Sequence, residues 1–148
     1  MTTLIGIVVL IAGLVCWIGQ SLSFLSPRMA EKLGLSEPEN EIDETLYVVE
    51  TRAQGLVDML LTWTLPLSGL LMILEHKLWP VLALTGGGIY LYFSGLIILQ
   101  RVFLKQRGKK VGRPSAERSA YIFGFIWMLC ALSMIVLAVD DLGLWLSK

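Results

Sequence analysis

Apolar positions along this chain gather into four long, almost uncharged stretches at residues 3–25, 54–74, 78–100 and 120–139, with polar segments between them. Each stretch has the roughly 20 residues that a helix needs to cross about 30 Å of hydrocarbon. The pattern predicts an all-α fold: one membrane domain over 1–148, built as a four-transmembrane-helix bundle with a short amphipathic helix between spans one and two. The composition agrees. Hydrophobic residues make up 55% and charged residues 16% of 148, and the mean hydropathy is +0.72. Soluble domains sit near 45–50% and about 25%. A soluble enzyme, a nucleic-acid binder and a secreted disulfide scaffold are excluded. The first residues, Met1-Thr2-Thr3, lack the positive region of a signal peptide. The apolar run after them is also longer than a signal core of about 7–15 residues, so the first span is expected to be retained.

The charges orient the bundle. Segments 26–53 and 101–119 must share one side, and together they hold ten of the twelve Lys and Arg. Only Lys77 and Lys148 fall on the other side. Positive residues stay inside. Both segments are therefore placed in the cytoplasm of a bacterial inner membrane, with both termini outside. The two segments differ in sign. The first is acidic, with Glu31, Glu37, Glu39, Glu41, Asp43, Glu44 and Glu50. The second is basic, with Arg101, Lys105, Arg107, Lys109, Lys110, Arg113 and Arg118. Three arrangements are open: the segments dock on each other and cap the bundle, or the basic one lies on anionic lipid heads while the acidic one faces a protein partner, or both are simply solvated.

Local signals refine the elements. Ser26-Pro27 reads as an N-cap and first helical position, and the short helix Arg28–Leu33 should stop at Gly34. Glu37-Pro38 breaks the chain. A helix is expected to restart near Glu39, carry Ile42, Leu46 and Val49 on one stripe, and run into span two. Pro66 should kink that span, with Thr62 and Thr64 near enough to satisfy the freed carbonyl. In span three, Ala83 with Gly87 and Gly88 with Gly95 offer close packing inside the bundle. Ser115 is expected to cap the last helix, with Glu117 in its first turn. Trp79 and Trp145 fit an outer aromatic belt, Trp17 the inner one. Trp63 and Trp127 fall at mid-span and are expected to face the interior, where a flat ligand is the alternative to plain packing. Cys16 and Cys130 read as small apolar fillers, and His76 as a solvated loop residue. No metal-ligand spacing and no known catalytic pattern occurs.

One constellation holds polar groups at membrane depth. Asp58 is the only carboxylate well inside a span. An ionised group there costs at least about 2.5 kcal/mol, so it must face the interior or have a partner. Gln20 and Ser21 end span one, Gln100 and Arg101 end span three, Glu50 and Arg52 begin span two, and Tyr121 begins span four. All lie at one depth, which predicts a polar pocket open to the cytoplasm. Either Asp58 is a clasp, paired to Arg101 or to Gln and Thr, or the pocket binds a quinone head or a lipid phosphate, or it relays a proton.

The layout resembles the DoxX-like group of small four-helix bacterial membrane proteins. The resemblance rests on Phe24-Leu25-Ser26-Pro27, on Glu50-Thr51-Arg52-Ala53-Gln54-Gly55 opening span two, and on the basic segment from Arg101 through Gly112. Some members of that group are associated with quinone-linked respiratory complexes, and most have no known activity. The resemblance singles out Glu50, Arg52 and Gly55 without assigning a reaction. The sequence therefore points first to a non-catalytic accessory or anchoring subunit, in contact with lipids and other membrane subunits and with no nucleic acid. The alternatives are a quinone- or lipid-binding protein serving a redox partner, through Asp58, Arg101, Gln100, Gln20, Glu50, Arg52, Trp63 and Trp127, and a small oligomeric transporter. No cofactor beyond a quinone or lipid is implied, and no metal.

Overall fold

The computed structural model describes residues 2–144. The expectations for Trp145 and Lys148 fall outside them. The helices are α1 (Thr2–Leu25), α2 (Pro27–Lys32), α3 (Glu44–Val48), α4 (Gly55–Leu61), α5 (Thr64–Ile73), α6 (Trp79–Gln106) and α7 (Pro114–Asp141). A π-helical segment, Val49–Gln54, joins α3 to α4. Counting Glu44–Ile73 as one span, four stretches of 24, 30, 28 and 28 residues are long and apolar enough to cross a membrane. The protein is an all-α membrane bundle of four spans.

Span two departs from the expected plain kink. It breaks at Thr62-Trp63, ahead of Pro66, which falls in the first turn of α5. In lipid every carbonyl freed by such a break must find a donor within the protein. Four successive carbonyls do. Met59 accepts from Trp17 Nε1 at 3.0 Å and Leu60 from Trp63 Nε1 at 2.8 Å. Leu61 accepts from Thr64 Oγ1 at 2.8 Å. The Thr62 carbonyl, which proline leaves without its usual donor, takes the Leu65 amide at 3.1 Å. The Thr62 hydroxyl instead donates back to Asp58 O. Trp63 does not face the interior, as mid-span depth had suggested. It is 44% exposed, because its indole serves the break from outside the helix.

Glycines set how closely the spans approach. A Cβ at Gly69 would stand 2.5 Å from Leu10 N and 2.7 Å from Gly6 O. One at Gly13 would stand 2.7 Å from Pro66 N. The backbones of α1 and α5 thus touch directly, since lipid supplies no hydrophobic drive between helices and close contact must hold them. Ala83 and Gly87 lie on the α6–α7 seam: Ala83 is buried, and a Cβ at Gly87 would meet Ile135 at 2.8 Å. Gly88 and Gly95 do not pack as expected; a Cβ on either meets nothing within 4 Å. The core along these seams holds Val9, Leu65, Met72, Tyr90, Phe93 and Met134. Spans pack in chain order, α1 on α5, α5 on α6 and α6 on α7, and the closing α1–α7 seam is the loosest.

Gly69→Ala should lower the unfolding midpoint in detergent, at the roughly 1–3 kcal/mol typical of overpacking. Gly88→Ala should raise it slightly, because only the helix-propensity gain of about 0.5–1 kcal/mol remains there. Equal responses at the two glycines, measured by thermal unfolding of the purified variants, would contradict this packing.

Candidate functional site

The two charged segments meet at the polar end of the bundle. The helix expected from about Glu39 starts only at Glu44, and from there it does run on into span two. A 3₁₀ turn over Glu39–Glu41 leads into extended Ile42, which pairs antiparallel with Val111. The Asp43 amide donates to Lys110 O at 2.8 Å, and the Asp43 carboxylate caps α3 at Thr45 N. Asp43 also pairs with Lys109 at 3.1 Å, and that hydrogen bond holds its carboxyl below the ordinary range, so it stays ionised near neutral pH. Ile42, Leu46 and Val111 are buried together beneath the crossing. Glu37 Oε2 accepts from the Arg113 backbone N–H at 3.2 Å and from its Nε at 3.3 Å. Gly112 adopts φ +102°, and a Cβ there would stand 2.9 Å from Glu37 Cγ. Of the arrangements open to the charged segments, docking as a cap is the one formed. At the start of α7 the helix begins at Pro114 after Arg113, so Ser115 lies inside the first turn and is not its cap. Glu117 pairs with Lys105 at 2.7 Å. Ser26 precedes α2 as expected, without a side-chain cap bond.

Beneath this cap the π segment places the charge that the site needs. The wider turn changes which side chains face inward. Glu50 and Thr51 turn to the interior while Arg52 and Ala53 are exposed. The Thr51 hydroxyl donates to Tyr47 O at 2.7 Å. Gly55 follows because a Cβ there would press Phe24 Cβ at 3.1 Å. Glu50 then meets Arg101 of α6 in a two-pronged pair, Nη1 to Oε1 at 2.6 Å and Nη2 to Oε2 at 3.2 Å. Such fork-to-fork geometry is strong and directional. Arg101 also donates to Ile97 O at 3.3 Å. The side chains are 8% and 23% exposed.

A cavity of about 440 Å³ adjoins the pair. Of the eight residues the sequence singled out, Gln20, Glu50, Arg101 and Trp127 line it, and Asp58, Gln100, Arg52 and Trp63 do not. Asp58 is not paired to Arg101, whose partner is Glu50. It lies on α4 with Oδ2 buried and unpartnered. Gln100 is likewise half-buried with an unpartnered Oε1. Sequence reasoning missed Ser23, Ser36, Glu37, Thr51 and Arg113 in the lining. Small hydroxyls among apolar residues near a helix end were the one available signal. Two buried polar atoms of lining residues have no partner: Arg101 Nε and Ser36 Oγ.

The loose α1–α7 seam opens into a second, apolar cleft of about 340 Å³, lined by Val8, Ile11, Ala12, Val15, Phe123, Ile126 and Trp127. Val15, Phe123 and Trp127 line both spaces. Trp127 is held there by Phe93 and Phe123, with ring centroids 5.2 Å and 5.7 Å away. Polar cavity and apolar cleft therefore adjoin across these three side chains, and together they offer a polar and an apolar space side by side. No family model, curated protein or solved structure matches the chain.

Removing one partner of the Glu50–Arg101 pair should destabilise the bundle by about 2–5 kcal/mol, the usual loss when the other charge stays buried alone. Replacing both, as in Glu50→Leu with Arg101→Met, should be milder than the sum of the single changes. A double-mutant cycle in detergent measures the coupling, and strict additivity would show that the pair carries none.

Proposed function

We propose that this protein binds one amphiphile taken from the bilayer, its head in the polar cavity beside Glu50 and Arg101 and its tail in the α1–α7 cleft. The observation that carries the reading is that the two spaces lie side by side, sharing Val15, Phe123 and Trp127 as walls. The cavity volume lies within the usual range for small-molecule sites, roughly 300–1,000 Å³. A tail gains little by leaving acyl chains for an equally apolar cleft, so selectivity must come from the head. A quinone or a lipid fits this description. The segment behind the DoxX-like resemblance supplies Glu50 to the cavity. A protein that holds such a molecule without altering it serves a neighbouring enzyme, which is the accessory role the sequence favours.

Native mass spectrometry of the gently extracted protein should find one amphiphile per chain. Ala12→Trp, which fills the cleft, should abolish its retention. Asp58→Asn should leave it unchanged, because Asp58 lies outside the cavity lining. Retention undiminished in Ala12→Trp would refute the cleft as the tail site.

The reading places the capped end, with segments 26–53 and 101–119, in the cytoplasm of a bacterial inner membrane and both termini outside, as the Lys and Arg distribution favours. The native thiols, Cys16 and Cys130, are buried. A cysteine introduced at exposed Lys110 should resist an impermeant maleimide in intact cells and react after permeabilisation. Labelling in intact cells would invert the topology.

A further inference from the structure

The charged residues that line the cavity number four, Glu37, Glu50, Arg101 and Arg113. They cancel in pairs, Arg101 with Glu50 and Arg113 with Glu37. A phosphate head entering beside Arg101 would have to displace Glu50, leaving a carboxylate near membrane depth without its cation, or sit against it. Both are unfavourable. The free polar capacity is of another kind. Arg101 Nε–H is a donor and Ser36 Oγ a hydroxyl, each buried without a partner. Gln20 and Ser23 add an amide and a hydroxyl to the same lining. Such groups bind oxygens of either kind, and with both guanidinium charges already answered by carboxylates the balance favours oxygens that bring no charge.

Resting on the amphiphile-binding reading above, we propose that the head group taken here is uncharged and bears hydroxyl or carbonyl oxygens, and that Glu50 and Glu37 exclude phosphate heads. The two carboxylates act as specificity determinants: they compensate the guanidinium groups that would otherwise draw in anions. A site of this kind separates neutral amphiphiles from the anionic lipids that surround it, a discrimination that the apolar cleft cannot make.

The test uses two probes with the same tail, monooleoylglycerol and monooleoyl lysophosphatidic acid, titrated into the purified full chain and read by native mass spectrometry. Monooleoylglycerol should bind the wild type at least about tenfold more tightly, since like charges placed together cost several kcal/mol. Glu50→Gln should narrow or invert that ratio by strengthening the lysophosphatidic acid. Glu37→Gln should do the same more weakly, and its partly exposed pair can be lost without loss of the fold. Equal or tighter binding of the anionic probe to the wild type, or an unchanged ratio in both variants, overturns the head-group assignment while leaving the amphiphile site in place. If neither probe binds in a manner lost in Ala12→Trp, both readings fall.

Discussion

A guanidinium near membrane depth has to be answered by a carboxylate, and the polar end of this bundle is arranged around that requirement. Arg101 is buried on α6, and no carboxylate on α6 reaches it. The answer comes from span two, where the helix widens over Val49–Gln54 and carries Glu50 to within 2.6 Å. Ordering a π turn costs backbone energy in itself. It persists because the ion pair and the Thr51–Tyr47 bond need the register that it provides. The cavity follows from this pairing. With Arg101 drawn toward Glu50, the space beside it is lined by Gln20, Ser23 and Ser36.

Much of the architecture was legible in the sequence, because hydrocarbon imposes length and composition on every span. The four apolar windows became four spanning helices, with ends shifted by several residues. The short helix at Pro27 and its end before Gly34 were equally readable, since each follows from one residue's backbone preference. What escaped was geometry that depends on a neighbour. Asp58 looked like the partner of Arg101 because both sit at one depth, but depth does not specify azimuth. The π segment then brought Glu50 to the position at which Asp58 was expected. Gly88 and Gly95 looked like a packing face, yet the closest helix contact runs through Gly6, Gly13 and Gly69. Spacing shows that small residues share a face without showing which face meets a neighbour.

The opposite charge of the two connecting segments was visible from the start, and docking was one of three arrangements it left open, simple solvation among them. Ion pairs at exposed positions are individually weak, so charge alone would not close the cap. The Ile42–Val111 crossing and its buried apolar cluster with Leu46 supply the remaining contact, and Gly112 supplies the turn that lets Glu37 reach Arg113. Electrostatics selects the partners here, and apolar burial fixes the register.

The α1–α5 seam, where backbone touches backbone at Gly6 and Gly69, behaves as a fixed spine. Nothing of that kind binds α1 to α7. The α1–α7 edge is therefore the weakest closure of the bundle. On the proposed reading, a guest would enter through that edge from the lipid, tail and head together.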